Sequence, residues 1–228
     1  MRLLIVVPFV LQVSVAVGLT GWLSIRHGQR AVNDVASQLR DAVSHRIDHE
    51  LAEFLASSHL VNQLNYDAIA LGQLDPTNQA QLFRHFMQQS EQFSHIDSIF
   101  WGQADGEFIG HTNLGQGTHQ LMRGGPSLNN HIQFWQVDET TGQPVQQLES
   151  SPHWTTITRP WYRAAVQAQG PGWGEFFPYH AFPVLAISAS RPVYSEGGEL
   201  VGVLGNNFFL THISTFLQKL PISDHGQA

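Results

Sequence analysis

Thr158-Arg159-Pro160-Trp161-Tyr162 is the densest run of chemistry in the sequence. An arginine fork binds a carboxylate through two parallel hydrogen bonds, and the indole N–H and phenol O–H add donors on rings broad enough to wall a pocket. Proline after Arg159 starts a short helix, and a helix N-terminus favours an anion as well. The same residues have a plainer use, with Trp161 and Tyr162 as core and Arg159 in a structural ion pair. Thirteen histidines raise the question of a metal. His45 and His49 stand four apart on a helical stretch, close enough to share an ion. However, His49-Glu50 lacks the following histidine that the metalloprotease helix requires. A solvated helix face accounts better for the pair, and no metal or cofactor is expected. The sequence holds no nucleophile elbow, phosphate loop, dinucleotide fingerprint or closely spaced carboxylate pair, so no catalytic residue is assigned.

Composition narrows the partners. Acidic residues outnumber basic ones 18 to 11, for a net charge of −7 over 228 residues. That balance argues against nucleic acid, which needs a clustered cationic surface. The absence of cysteine excludes a disulfide scaffold and any thiolate-held zinc or iron–sulfur site. With 42% apolar and 11% aromatic residues the chain reads as folded. Its length suits one domain of roughly 150–200 residues plus an appendage.

The appendage is the N-terminus. Leu3 to Ile25 carries no charged side chain, and about 20 apolar residues span a bilayer core. Residues 1–26 are expected to form a transmembrane anchor. A cleavable signal peptide ending at Ala16-Val17-Gly18 is the alternative, and either would export the remainder of the chain. Residues 27–65 read as a long helix. From Gln29 to about Leu64 there is neither proline nor glycine, and Val32, Val35, Leu39, Val43, Ile47, Leu51, Phe54 and Val61 recur at steps of three and four. Some 35 helical residues reach about 50 Å. Two roles fit: a stalk pairing with a second copy, or a helix lying along its own domain's sheet.

Asp75-Pro76 reads as the start of a second helix, running to about Phe93. Strands come next at Ser98–Trp101 and Glu107–Gly110 around an Asp105-Gly106 turn, at Ile132–Val137, and near Val145–Leu148. A short helix from Arg159 to Gln169 precedes two long strands, Val184–Tyr194 and Glu199–Phe209. A last helix begins at Thr211 and ends near Leu220. Helices first and hairpins after predict an α+β fold, with the N-terminal transmembrane helix continuing into a long helix packed on an antiparallel sheet. Leu200-Val201-Gly202-Val203-Leu204 is apolar enough to invite aggregation if it lies at a sheet edge.

Four stretches together resemble the double-Cache sensor domains of bacterial membrane receptors: Thr158-Arg159-Pro160-Trp161-Tyr162-Arg163-Ala164-Ala165, Trp173-Gly174-Glu175, Ile187-Ser188-Ala189-Ser190-Arg191-Pro192-Val193-Tyr194 and Leu200-Val201-Gly202-Val203-Leu204-Gly205. The Asp105-Gly106-Glu107-Phe108 hairpin and the anchored long helix agree. The resemblance implies a PAS-like sheet and a membrane-distal sensor lobe over residues 66–220, placed outside the cytoplasm (periplasmic) and held at the inner membrane. Residues 221–228 would open a second lobe, and a kinase or cyclase effector would lie beyond. Part of the family binds amino acids, and Arg159, Trp161 and Tyr162 match its carboxylate-holding residues. Two positions depart. Trp154 stands where that subset has tyrosine, and Asn207 (or Asn206) stands where it has the aspartate that holds the ligand's ammonium. Asparagine offers a dipole without a charge, so the carboxylate half of the site survives better than the amine half. The expected ligand is thus a small carboxylate, with an ordinary amino acid second, and the expected assembly is a homodimer through the long helix. The competing reading is a ligand-free structural or dimerisation lobe.

Overall fold

The computed structural model describes residues 2–115, 117–138, 140–179 and 184–211, with the side chains of residues 2–10, 50 and 54 left aside. The helix expected from Thr211 to Leu220 and the second-lobe start at 221–228 lie outside those residues, apart from the helical Leu210 and Thr211. Contacts divide the chain into one unit holding α1 up to Glu50 and another that begins at Leu51 and holds the sheet.

Helix α1 runs unbroken over Arg2–Ala70. Among the described residues no helix is long and apolar enough to cross a membrane; the Leu3–Ile25 run begins in side chains outside that set. The helix outlasts its expected end at residue 65, and Asn65 lies inside it. The Asn65 side chain donates to Gln89 Oε1 at 2.9 Å and meets His85 Nε2 at 2.8 Å. Gly72, at φ +68°, turns the chain, and its N–H reaches back to the Ile69 carbonyl at 3.0 Å. The apolar stripe divides along the helix. Val32, Val35 and Leu39 are exposed, whereas Ser58, Val61, Asn62 and Asn65 are buried.

Helix α2 spans Gln79–Gln92 and starts later than expected. Asp75 is spent on a turn, accepting from the Thr77 N–H at 2.8 Å and hydroxyl at 2.7 Å. Asn78 caps the helix instead, its side chain accepting from the Gln81 N–H at 3.1 Å.

The strands are β1 (Ser98–Gln103), β2 (Phe108–Asn113), β3 (His119–Gly125), β4 (His131–Val137), β5 (Pro144–Ser151), β6 (Gly172–Trp173), β7 (Phe177–Pro178), β8 (Leu185–Tyr194) and β9 (Leu200–Phe209). They form one antiparallel sheet in the order β5-β4-β3-β2-β1-β9-β8-β6, with β7 also on β8. β3 escapes the sequence reading because its residues include two glycines and no β-branched side chain. β9 lies between β1 and β8, so its apolar run is interior rather than an edge.

Alternation along the strands sends side chains to two cores. On one face Ile99, Trp101, Ile109, Leu121 and Leu204 meet Val61 of α1 and Leu82, Phe83 and Phe86 of α2. On the other, Phe100, Phe108, Met122, Ile132, Phe134, Val203 and Phe209 meet Trp161, Tyr162 and Ala165 of α3 (Pro160–Ala168). Glycines let α3 approach closely: a Cβ on Gly102 would sit 2.7 Å from the Trp161 ring.

Candidate functional site

A cavity opens on the α3 face of the sheet. It is narrow and partly open to solvent, with a volume of about 30 Å³. One face of the sheet supplies Phe100, Phe108, Met122, Ile132, Phe134 and Asn207, the β7 region supplies Phe177 and Tyr179, and α3 with the approach to it supplies Trp154, Arg159 and Trp161.

Backbone and hydroxyl contacts fix the approach to α3. The Trp154 N–H donates to the Asn130 carbonyl at 2.7 Å, and its indole N–H donates to Thr156 Oγ1 at 3.1 Å. Thr156 in turn donates to the Gly106 carbonyl at 2.6 Å, tying the segment to the β1–β2 hairpin. The indole fits because Gly124 beneath it has no side chain; a Cβ there would lie 2.9 Å from Trp154 Cδ1. Arg159 lays its guanidinium over that indole, 4.5 Å from the ring centroid. Its Nε is buried without a hydrogen-bond partner, and burial draws its pKa below the ordinary guanidinium value. No carboxylate pairs with Arg159 among the described residues, so the structural ion pair allowed by the sequence does not form there.

Trp161 belongs to the core and to the cavity at once, with its ring 4.8 Å from Phe100 and lining the space. Tyr162 does not line the cavity. It packs edge-on to Trp161 at 5.6 Å and beside Gly102, where burial first and Asp105 second raise its phenol pKa. Asn207 is buried, and its Oδ1 accepts from Ser188 Oγ at 2.6 Å across the β8–β9 pair. Asn206, one residue earlier, faces the opposite side, donating to the Ser58 carbonyl of α1 at 2.7 Å. Of the five residues picked from sequence, the fold therefore brings Trp154, Arg159, Trp161 and Asn207 together and leaves Tyr162 outside.

Sequence reasoning does not reach Tyr179 or the surrounding phenylalanines. Tyr179 is buried, its hydroxyl 3.0 Å from Thr112 Oγ1 and donating to Met122 Sδ at 3.2 Å, and burial raises its pKa. The strand periodicity marks Phe100, Phe108 and Phe134 as same-face residues, but nothing local marks Tyr179 or Met122. His45 and His49 are exposed, and no group of three metal-ligating side chains occurs among the described residues.

This arrangement has counterparts among solved structures. The ligand-binding domain of Mlp24 with asparagine matches with a TM-score of 0.52 at 17% identity, covering 84% of this chain and 66% of that one. A methyl-accepting chemotaxis protein X gives 0.51 at 18% identity over 83% and 66%. The ligand-binding domain of the Campylobacter jejuni chemoreceptor Tlp3, in complex with 4-methylisoleucine, gives 0.50 at 12% over 77% and 59%. The fold is the Cache-like fold of chemoreceptor ligand-binding domains. The chain spans 59–66% of the length of these three structures. No protein-family model matches it, and no curated protein sequence does.

Proposed function

We propose that the chain is the extracytoplasmic, small-molecule-sensing part of a membrane receptor, and that it binds a carboxylate-bearing ligand in the cavity beside Arg159. The observation that carries this reading is the half-buried guanidinium with an unpartnered Nε, facing an aromatic cavity that no carboxylate lines among the described residues. A buried guanidinium Nε–H without an acceptor is costly, and a carboxylate with two oxygens offers acceptors to the fork. Trp154 carries the guanidinium, Trp161 and the phenylalanines exclude water, and Asn207 stands on the sheet wall. These are binding roles, and the reading assigns the domain no catalysis, cofactor or nucleic-acid partner; an effector would belong to another part of the receptor. The solved domains of the same fold that hold asparagine or 4-methylisoleucine support a ligand in such a lobe.

Residues 1–26 serve as the membrane anchor in this reading, with the lobe on the periplasmic side of the inner membrane. Leu11, Val15, Val17, Leu19 and Ile25 expose large apolar side chains, and Thr20 turns its hydroxyl back onto the Ala16 carbonyl at 2.8 Å. Arg26 lies 5.1 Å from the Trp22 ring centroid, a pairing suited to a membrane–water boundary. The exposed Val32, Val35 and Leu39 support pairing of α1 with a second copy.

The test is a thermal melt of the purified chain against a carboxylate panel. A ligand at a hundred times its dissociation constant adds about 2.7 kcal/mol. Arg159→Ala is expected to abolish that rise while leaving the protein folded. A folded Arg159→Ala protein that retains full affinity refutes the assigned role.

A further inference from the structure

Resting on the assignment of the cavity as the ligand site, we infer that its ligand is an aromatic carboxylate without an ammonium group. The polar groups lining the cavity are mostly donors, and none of those among the described residues carries a negative charge. Arg159 can only donate. Asn207 Oδ1 already accepts from Ser188 Oγ at 2.6 Å, so the amide has its N–H group and at most one oxygen lone pair left for a ligand. The indole N–H of Trp154 is engaged by Thr156, and the Tyr179 hydroxyl by Thr112 and Met122. No carboxylate lines the cavity among the described residues. The sequence between Tyr179 and Val184, His180-Ala181-Phe182-Pro183, contains none either. Asp97, whose charge helps raise the Tyr179 pKa, accepts from the Phe209 N–H at 2.6 Å and is not part of the lining. An ammonium buried here would find no charged acceptor among the described residues, whereas a carboxylate would take donors from Arg159 and Asn207 together.

The remaining walls decide the body of the ligand. Phe100, Phe108, Phe134, Trp154, Trp161, Phe177 and Tyr179 place seven aromatic side chains around one space, with Met122 and Ile132 between them. The rings already meet at tilted or edge-on angles, Phe100–Phe108 at 5.8 Å and Phe108–Trp154 at 5.2 Å between centroids. A further flat ring continues that packing and gains edge-to-face contacts that an alkyl chain lacks. A methioninyl sulfur on the wall adds an adaptable contact to a ring.

The experiment uses the full 228-residue chain in mild detergent, titrated calorimetrically with phenylacetate, benzoate, L-phenylalanine, 2-phenylethylamine and propionate. Phenylacetate or benzoate is expected to bind at least tenfold tighter than L-phenylalanine, a difference of about 1.4 kcal/mol. 2-Phenylethylamine is expected not to bind. Asn207→Asp is expected to invert the order, weakening phenylacetate and strengthening L-phenylalanine. Where that variant does not fold, Ser188→Ala releases the Asn207 carbonyl and is expected to narrow the gap between the two ligands. L-Phenylalanine binding the unaltered chain as tightly as phenylacetate overturns the inference, as does propionate matching the aromatic acids. Either of those results, if lost in Arg159→Lys, leaves the cavity's carboxylate role standing. Silence toward every carboxylate from a folded sample overturns both.

Discussion

Replacing His111 with glutamine removes a titrating ring from the interior of the sheet. His111 is fully buried on the α2 face, its Nε2 2.9 Å from Nδ1 of His119 and its ring centroid 5.7 Å from that of Phe83. Its Nδ1 has no partner, which fits a neutral ring donating from Nε2 to His119. Burial first, and the neighbouring His119 second, lower the pKa from 6.5 to about 3. Linkage fixes the sign. Below about pH 6.5 the unfolded chain takes up a proton that the folded ring refuses, so stability is intact above that pH and falls as pH drops toward 3. At 1.36 kcal/mol per unit, this one ring costs about 2 kcal/mol at about pH 5, or roughly 4–8 °C of melting temperature for a domain of this size. His59 and His85 also have pKa values lowered by burial and push in the same direction, so the variant must be compared with the unaltered chain. Glutamine keeps an N–H for His119 and does not titrate. Urea unfolding at about pH 7.5 and about pH 5 should show the variant losing about 2 kcal/mol less than the parent between the two conditions. Equal losses would mean that His111 is solvated or protonated in the folded protein, and the burial argument would be wrong.

Gly124→Ala places a Cβ 2.9 Å from Trp154 Cδ1 and should push the indole away from Arg159, weakening carboxylate binding severalfold by calorimetry. The lost cation–π contact is worth about 0.5–2 kcal/mol, so unchanged affinity would remove Trp154 from the binding role. Val35→Glu with Leu39→Glu should convert a sedimenting dimer to monomer without altering the melting temperature of the lobe, and a persistent dimer would place the pairing surface elsewhere. Asn206→Ala removes the donor to the Ser58 carbonyl, 2.7 Å away. It should leave ligand affinity within a few fold while abolishing ligand-dependent change in hydrogen exchange around Ser58, and a retained change would exclude this contact as the link.

How much of the fold is legible in the chain depends on how local its causes are. The α3 helix is legible because proline opens it and Gly170-Pro171 closes it, and the two long strands because a glycine turn separates two apolar runs. Arg159 and Trp161 stand out since three donors crowd one short segment. Asn207 is picked for a different reason, as a departure from the aspartate of the resembling family. Tyr162 shows the limit of spacing, because the residue after Trp161 on a helix must point about 100° away, which takes its ring off the cavity wall that Trp161 lines. Met122 and His119 escape with β3, whose pairing partners β2 and β4 make it a strand in spite of its glycines. Tyr179 escapes because the partners of its hydroxyl, Thr112 and Met122, lie far away in sequence. The start of α2 is misplaced over two residues that can both cap, and the chain uses Asn78 because Asp75 already serves the turn.

Strand alternation turns the two neighbouring asparagines of β9 to opposite faces of the sheet. Asn207 faces the cavity, and Asn206, its neighbour, holds α1 on the other side of the sheet. β1 and β8 pair with β9 on both flanks, so its two amides move with one ladder rather than independently. The contact it reaches is unevenly made. Val61, with Tyr66 and Ile69, seats α1 in the apolar core, where packing resists displacement. Beside it the buried Asn62 side chain, Asn206 Oδ1, His59 Nδ1 and Arg191 Nε have no hydrogen-bond partners. Incompletely paired polar groups in a low-dielectric seam raise the energy of one arrangement and so lower the gap to another. A helix seated by apolar contacts but loosely satisfied along its polar side is a fitting element for a sensor to bias. The bias has a bound, because a ligand shifts such an equilibrium only by its differential affinity. Tenfold preference for one arrangement supplies about 1.4 kcal/mol. A second seating of α1 would therefore have to lie within about that energy for a single ligand to reach it.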